Sequence, residues 1–541
     1  MNIKKWAPYI LACSMAIAVG SCQNPLENFE LIVSDNVIRD RTTLEILDTD
    51  GEAINDANVK LLSGDIADIY NSAGKKDFRL IGNTVTFGLD PKRTPTTAAP
   101  VSFQVELSAE GYYTQTVSVN ITNNNNGIYQ IRMVRPTSLP EGASIMVESA
   151  TLANDGTLPA AVSVSIPESA TELTIPQGVR FLDASGNPIT GSVLSINVLA
   201  YDPTEDGALA LFPGSSLQAT GVVGQGGQAS NGVFNPAATA NITMTVDGTT
   251  VHGFSTPIAL KIGIDPDFTP RAGSTINVGA TLPTYSYTPS DGFWKYETAA
   301  TIGGGVQQGY HVAFTTDHLT TFSSAEYIES CGTIAEVSFD ADWIEDGFTY
   351  PVKVQAFHFG NLVSERLFSI SEDSKLISLD YLPANNVQIT VRSTVDDSII
   401  AEGSLAACGS VTNFALADPD PDPEPKVTLQ LYVRCPDKTE PITLLPNFML
   451  YYRVSGQSSY ELLGEVNNGF LQTTLLKSDG TQYDFRAIYN ARIKDVNSKT
   501  VQEDNTATVG DNPSAGEIRG EKAGATNLAI LTEECNKFYN N

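Results

Sequence analysis

Basic residues are scarce in this chain. Its 541 residues include 32 lysines and arginines against 62 aspartates and glutamates, which gives a formal net charge of −30. Proteins that bind nucleic acid present surfaces lined with lysine and arginine, so this balance argues against a nucleic-acid partner. It also argues against docking on anionic lipid through a basic patch. The excess of acidic residues is explained by solubility.

Histidine is scarcer still, and the common catalytic motifs are missing. None of the four histidines, at positions 252, 311, 318 and 358, belongs to a His-Glu-x-x-His motif, and no Cys-x-x-Cys accompanies them. His311 and His318 are seven residues apart, which on one strand places them on opposite faces. A Gly-x-Ser-x-Gly elbow and a phosphate-binding loop are also absent. The sequence therefore predicts a non-enzymatic protein without a cofactor or a metal centre.

Acidic loops are the one feature that suggests a metal ion, because calcium prefers carboxylate and carbonyl oxygens. Candidate loops lie at 48–52, at 202–206 and at 340–342. Calcium needs six to eight oxygen ligands, and none of these loops has the spacing of an EF-hand. Short Asp-Gly turns are also ordinary hairpin chemistry. A calcium site is therefore not predicted.

Long hydrophobic runs are confined to the amino terminus. The apolar stretch at 6–19 follows Lys4 and Lys5 and is shorter than the roughly 20 residues of a membrane-spanning helix. It ends in Val19-Gly20-Ser21-Cys22, and this order of residues resembles the lipobox of bacterial lipoprotein precursors.

The lipobox resemblance implies an anchored protein. It predicts a signal peptide at 1–21, lipidation of Cys22 and a lipidated tether at 22–36, so that the lipid attaches the chain to a membrane. Cys13 ends a rival lipobox, but the hydrophobic segment before it is very short. Cys22 is therefore preferred.

Four cysteines remain once the signal peptide and the lipidated residue are set aside: Cys331, Cys408, Cys435 and Cys535. An even number in an exported protein is typical of disulfide bonds, and three connectivities are possible. Pairing Cys331 with Cys408 and Cys435 with Cys535 keeps each bond within one module. Each such bond would contribute about 4 kcal/mol in the chain-entropy account. Free buried thiols are the alternative.

The composition predicts an all-β protein. Hydrophobic residues make up 41% and charged residues 17%, and short alternating segments are separated by turns rich in glycine, proline and asparagine. Asn126-Gly127 predicts a hairpin, because both residues accept a positive φ. An alternation of aspartate and proline marks an extended linker. The predicted modules are β-sandwiches at 37–135 and 141–329, a small β domain at 330–416, the linker at 417–426 and a β domain at 427–541.

Two of these regions resemble known families. Gly51, Ile54, Ala57, Val59 and Leu61, followed by a strand that leads into Gly111-Tyr112, resemble carboxypeptidase regulatory-like, transthyretin-type sandwiches, although Ala53 and Asp56 depart from that pattern. The resemblance implies a non-catalytic spacer or interaction domain. The segment 318–322, ending in Phe322, makes the second region similar to ZU5-like sandwich modules.

Together these features resemble the multi-domain outer-membrane or surface lipoproteins of Bacteroidota-type bacteria. The predicted fold is a row of Ig-like and transthyretin-like β-sandwich modules on a lipid tether. The predicted function is a non-enzymatic binding or scaffold subunit of an outer-membrane or cell-surface complex, with an outer-membrane protein as partner. It would be lipid-anchored in the outer membrane and face the periplasm or the outside.

Two alternatives stay open. The chain is also consistent with a surface adhesin or glycan-binding protein, for which Trp294, placed near a turn, offers a stacking ring if it is exposed. A tryptophan in the core is the favoured alternative at that position. The second alternative is an enzyme whose site assembles from loops without a recognisable motif.

Overall fold

A computed structural model describes most of the chain. The described residues are 31–34, 38–90, 92–205, 207–271, 275–289, 292–305, 309–406, 408–419, 426–434, 442–445, 447–489 and 492–509. The signal peptide, Cys22, Cys435, Cys535 and linker residues 420–425 lie outside them, so those predictions stay predictions. In the part of the chain described, no helix has the length and apolarity to cross a bilayer.

The first strands form a sandwich of two sheets. They are β2 (Arg39–Asp48), β3 (Asn58–Gly64), β4 (Ile69–Asn71), β5 (Thr84–Leu89), β6 (Val101–Ser108), β7 (Gln115–Ile121) and β8 (Ile128–Met133), with a 3-10 turn at Ile66–Asp68. The strand before them, β1 (Leu31–Ser34), belongs to another sheet. One layer is β3-β6-β7 and the other contains β4-β5-β2-β8. Alternate residues such as Leu44 and Ile46 enter the core, where the Phe87 and Phe103 rings lie 5.2 Å apart. Each buried side chain of this size contributes about 1.5–3 kcal/mol.

The second region is one sheet of thirteen strands. Its strands are β9 (Ala143–Thr151), β10 (Val162–Ile166), β11 (Thr171–Ile175), β12 (Phe181–Leu182), β13 (Val193–Tyr201), β14 (Gln218–Val223), β15 (Ala229–Val246), β16 (Thr249–Thr250), β17 (Gly253–Gly263), β18 (Thr281–Thr288), β19 (Phe293–Gly305), β20 (Gly309–His318) and β21 (Thr321–Glu329), with 3-10 turns at Pro167–Ser169, Ala208–Leu211 and Pro213–Ser215. The sheet encloses a core of its own around Ile196, Leu260 and Phe322.

The third region shares a sheet with the first. Its strands are β22 (Glu336–Asp340), β23 (Tyr350–His358), β24 (Asn361–Ile370), β25 (Leu376–Ser378), β26 (Val387–Ser393), β27 (Ile399–Ser404) and β28 (Val411–Ala415), with a 3-10 turn at Glu372–Ser374. The order β27-β26-β23-β24-β8-β2-β5-β4 makes one eight-stranded sheet, in which Leu367 of β24 pairs with Ile128 of β8. The domain boundaries stay predictions, and backbone pairing joins two of the predicted regions.

The last region docks against the others. Its strands are β29 (Val427–Arg434), β30 (Ile442–Leu445), β31 (Phe448–Val454), β32 (Glu461–Val466), β33 (Phe470–Thr473), β34 (Gln482–Tyr489), β35 (Arg492–Thr500) and β36 (Asp504–Val509). Residues 31–34, predicted as tether, form β1 and pair in parallel with β30. Gln472 exchanges backbone hydrogen bonds of 2.9 Å with Gly347 and Thr349 of the third region. The predicted all-β class of tandem β-sandwiches is confirmed.

The hairpin predicted at Asn126-Gly127 is wrong. The flanking strands β7 and β8 lie in different sheets, so the chain crosses between layers at this point. Gly127 does have a positive φ of 65°. The residues that lie closest to it, however, belong to the third region and not to a hairpin strand. A Cβ on Gly127 would lie 2.6 Å from the carbonyl oxygen of Leu367. Glycine is needed here because β24 approaches the loop, which no local pattern reveals.

Candidate functional site

The loop at 122–127 is the centre of a three-way junction, and its own side chains hold it in shape. The Asn126 side-chain oxygen accepts hydrogen bonds from the backbone N–H of Thr122 at 2.9 Å and from the Thr122 hydroxyl at 3.0 Å. The Asn126 amide nitrogen donates to the carbonyl oxygens of Thr122 and Asn124. The side chain of Asn126 thus satisfies backbone groups of the loop that have no partner in a neighbouring strand.

The same loop bonds to the third region. Asn124 donates a 2.8 Å hydrogen bond to Glu336, and Asn125 donates to the carbonyl oxygens of Ser369 and Ser374 at 2.9 and 3.2 Å. These partners are more than 200 positions away in sequence. The asparagine-rich segment therefore fastens two regions together.

A buried ion pair lies beneath this loop. Arg366 on β24 is 1% exposed and pairs with Asp380, and it also donates to the hydroxyl of Tyr129 on β8. The guanidinium carbon lies 3.7 Å from the centre of the Tyr129 ring. Asp380 accepts two further bonds of 3.1 Å, from Asn120 and from the Tyr129 hydroxyl. Every member of the cluster thus has several polar partners.

Electrostatics favour the charged form of Arg366. Burial alone would lower the pKa of Arg366, but the nearby Asp380 and Tyr129 outweigh it and raise that pKa. Burial also raises the pKa of Tyr129, so its hydroxyl stays protonated and can donate to Asp380. A buried pair with this many hydrogen bonds specifies one arrangement of the regions more than it adds stability.

A groove of about 700 Å³ opens beside the loop. This volume is within the range of ligand sites. The walls are built by three regions, and an ion pair between Arg41 and Glu465 joins two of them. The lining is mixed polar and apolar: it includes Thr42, Thr43, Thr86, Asn123, Asn125, Ile128, Asp373, Leu376, Phe448 and Tyr451.

Two polar side chains meet where the last region packs on β2 and β8. Glu45 is 7% exposed and accepts hydrogen bonds from Gln130 at 3.0 Å and from Asn83 at 3.4 Å, and burial raises its pKa. The hydroxyl of Tyr451 is buried without a hydrogen-bond partner among the described residues. Burial and the charge of Glu45 raise the pKa of Tyr451. Such groups weaken a contact, because their desolvation is not fully compensated.

The structure pairs two of the four predicted disulfide cysteines. Cys331 is bonded to Cys408, with their Cα atoms 5.6 Å apart. The bond ties the segment before β22 to the segment before β28, so it closes the third region on itself. Cys435, Cys535 and Cys22 lie outside the residues that the structure describes.

Trp294 does not offer a ring to a sugar. It is 2% exposed and stacks on Phe212, with ring centres 5.0 Å apart, while Phe234 and Tyr287 each lie at 5.2 Å. The core alternative for this residue is confirmed, and the sugar platform at this position is wrong. Trp343 is partly buried and donates its ring N–H to the carbonyl oxygen of Leu416.

The acidic loops serve as turns. The Asp48 carboxylate accepts the backbone N–H groups of Asp50 and Glu52 at 3.0 and 2.9 Å and pairs with Arg135 at 3.3 Å. Asp202 similarly accepts the N–H and hydroxyl of Thr204. Among the described residues, no three histidine, cysteine or acidic side chains converge as a metal site.

The pKa of Asp265 predicts how the stability of the chain changes with pH. Burial and a hydrogen bond with Asp202 raise the pKa of Asp265 from 3.8 to about 6. The folded chain therefore binds more protons than the unfolded chain between these values, and this stabilisation is lost as the pH rises through 6. Asp265→Asn keeps the acceptor for Asp267 and cannot ionise. We expect it to raise the free energy of unfolding at pH 7.5 by about 1 kcal/mol, after discounting for partial exposure.

The pH dependence distinguishes this effect from simple repacking. The gain of Asp265→Asn should vanish near pH 4 in denaturation curves. Asp247→Asn is the matched control, because backbone N–H groups of Ser192 and Val193 lower the pKa of Asp247. That control should destabilise the chain at pH 7.5. A gain for Asp265→Asn that is equal at both pH values contradicts the prediction.

Comparisons with known proteins add little beyond fold class. No family model and no curated protein matches the chain significantly. Among solved structures, the Bacillus anthracis TIE protein has 10% identity and a TM-score of 0.12, with 69% of this chain covered. The major pilin subunit of Bacillus cereus has 9% identity and a TM-score of 0.13 over 70% of this chain and 98% of its own.

A tandem repeat from the extending region of a large adhesion protein is 10% identical, with a TM-score of 0.08, over 85% of this chain and 99% of its own. This chain spans 58% of the length of the TIE protein. Similarity at these TM-scores carries no argument about function, so the site must be interpreted from its own chemistry.

Proposed function

We propose that this chain is a lipid-anchored, non-enzymatic binding and scaffold protein of the outer membrane. The groove beside the 122–127 loop would present its walls to a protein partner in a membrane or cell-surface complex. The observation that carries the proposal is that the groove exists only when three regions are joined. The β8–β24 pairing joins the first and third regions, and the Arg41–Glu465 ion pair joins the first and last regions.

A rigid junction favours binding over catalysis. Preformed walls lower the entropy that is lost when a partner binds. The groove lining is a mixture of amide, hydroxyl and apolar groups, and its acidic members include Asp373 and Glu465, with Arg41 paired to the latter. This composition suits recognition of a mixed protein surface.

The sequence supplies the proposed location. The lipobox at Cys22 supports anchoring in the outer membrane, facing either the periplasm or the outside. The resemblance of the first region to carboxypeptidase regulatory-like modules supports a role as a rigid spacer. That region is a two-layer sandwich with its own core, which is compatible with such a module.

The test is recovery of the partner from membranes. We would purify the tagged full chain from detergent-solubilised outer membranes and identify co-purifying proteins by mass spectrometry. Asn123→Arg places a long charged side chain in the groove, since Asn123 is an exposed lining residue. Asn55→Arg, on an exposed loop of the same region that does not line the groove, is the matched control.

We expect a stoichiometric membrane-protein partner with the unmodified chain and with the control. Asn123→Arg should reduce its recovery at least about tenfold, a loss of roughly 1.4 kcal/mol. If the unmodified chain is recovered alone, the scaffold function is wrong. If Asn123→Arg retains the partner in full, the groove is not the binding surface.

A further inference from the structure

The strand at one end of the thirteen-stranded sheet has an unpaired edge. β9 pairs only with β13, over nine residues and without a bulge. Leu152, which follows β9, donates its backbone N–H to the carbonyl oxygen of Ser192. Alternate residues of an antiparallel strand bond to the same neighbour, so the even-numbered residues of β9 bond to β13. The N–H and C=O groups of Val147, Ser149 and Thr151 therefore point outward, where no described residue bonds to them.

This edge is open to solvent. Residues 147–149 are all exposed, and Val147, at 64%, is the most exposed of the large hydrophobic side chains described. β10 forms the other end of the same sheet, and its Cα atoms come within 8 Å of those of β9, but no backbone hydrogen bond joins the two strands. The sheet therefore does not close at this point, and the middle of β9 stays uncovered.

The other sheet ends in the described part of the chain are protected. Most are formed by strands of at most six residues: β1, β4, β10, β25, β27, β28, β32, β33 and β36. β3 and β35 are longer, but each carries lysine and has a shift of register in its pairing. β7 is covered, since nearly all its residues are buried and Ser118 bonds to Thr220 of β14. Short strands, lysine, bulges and covering all prevent unwanted pairing, and β9 has none of these four.

One charge lies on this edge, on the side that faces the core. Met146 and Ala150 pack against the core of the sheet, and Glu148 lies between them, opposite buried Ile196 of β13. Glu148 is exposed and makes no hydrogen bond or ion pair with the described residues. An inward charge on an edge opposes pairing with an apolar or acidic strand, whereas a basic side chain opposite it compensates the charge. Glu148 therefore favours a strand that carries lysine or arginine.

We propose that the edge of β9 binds an extended, basic segment of a partner protein as an additional strand. Hydrogen bonds to the backbone of Val147, Ser149 and Thr151 would supply the affinity, and a cation opposite Glu148 would supply the specificity. A second copy of this chain fits less well, because pairing two β9 strands would bring two Glu148 side chains close together in a chain of net charge −30. No described residue of the second region lines the groove, so this surface is separate from the groove and does not depend on it.

Binding is measured by fluorescence anisotropy of labelled nine-residue peptides with the full chain in detergent. The first peptide alternates valine and threonine around a central lysine, the second has glutamate at the centre, and the third keeps the lysine but has proline on both sides of it. We expect the lysine peptide to bind at least about tenfold more tightly than the other two, because proline cannot donate to the backbone ladder and glutamate repels Glu148. Its binding should slow amide hydrogen exchange at Val147, Ser149 and Thr151.

Two variants test the backbone edge and the charge separately. Ser149→Pro removes only an outward N–H, so it should melt within about 2 °C of the unmodified chain and bind the lysine peptide at least about tenfold more weakly. Ser149→Thr is the matched control, which keeps that N–H and should bind as the unmodified chain does. Glu148→Lys should reverse the preference, so that the glutamate peptide binds more tightly than the lysine peptide.

Several outcomes would overturn the proposal. These are no binding of the lysine peptide, equal affinity for the lysine and glutamate peptides, slowed exchange elsewhere than on β9, or full binding by Ser149→Pro. If Ser149→Pro melts at a lower temperature, Glu148→Lys decides, and an unchanged preference for the lysine peptide contradicts the proposal. Protection of β9 that increases with chain concentration in the absence of peptide would assign the edge to a second copy instead.

Discussion

Arg366→Met is expected to lower the free energy of unfolding by about 3–5 kcal/mol. The substitution leaves Asp380 buried without its counter-ion, with only Asn120 and Tyr129 as partners. A buried charge that has lost its counter-ion is costly, since neither water nor a cation compensates it. Urea denaturation followed by hydrogen exchange should show the loss in β8 and β24 first, because these strands meet at the pair.

Two further variants define the origin of that loss. Arg392→Met removes a partly exposed arginine that pairs with exposed Asp397, and it should cost less than about 1 kcal/mol. Replacing both Arg366 and Asp380 by apolar residues should restore much of the stability, because no charge is then left buried. A loss below about 1 kcal/mol for Arg366→Met would show that the Arg366–Asp380 pair is not essential for stability.

Replacing Cys331 and Cys408 together by serine should cost about 4 kcal/mol. The bond spans 77 positions, and opening a loop of this size restores conformational freedom to the unfolded chain. Since the bond lies within the third region, the loss should appear in β22–β28. Thermal denaturation of the double variant, with and without reductant, measures the effect.

The reductant supplies the internal control for this variant. Both chains are compared in a background in which Cys435 and Cys535 are serine, because reductant would also break the bond predicted between them. In this background, reducing the chain that keeps Cys331 and Cys408 should bring its melting temperature down to that of the double serine variant, which should itself not respond to reductant. A double variant that melts within about 1 °C of the oxidised chain would mean that the third region is held by its core alone. That core includes Val337, Val352 and Phe414, which lie on strands at both ends of the region.

Alternating patterns in the sequence predict those strands well that have a buried and an exposed face. In β26, Val387, Ile389 and Val391 are all buried, as their spacing of two requires. These patterns do not predict which sheet a strand joins. Whether β8 pairs with β7 or with β24 depends on contacts between residues about 240 positions apart, which local propensity does not encode.

The candidate site was missed in the sequence for the same reason. Arg366 is a charged residue on a strand whose neighbours Phe368 and Ile370 are buried, and this misplaced charge was the one available signal. Nothing in the sequence assigns Asp380 as its partner. The run of four asparagines before Gly127 predicts a local turn. Its side chains in fact bond to a distant region.

The shared eight-stranded sheet has a consequence for the order in which the chain is made. β8 ends at Met133, but its neighbour β24 begins only at Asn361. During synthesis, the β8 edge is therefore without its partner until more than 200 further residues have emerged. Unpaired edges attract other strands, and pairings distant in sequence form slowly. The biogenesis of this protein thus includes an interval of exposure to aggregation, which a chaperone that covers strand edges would shorten.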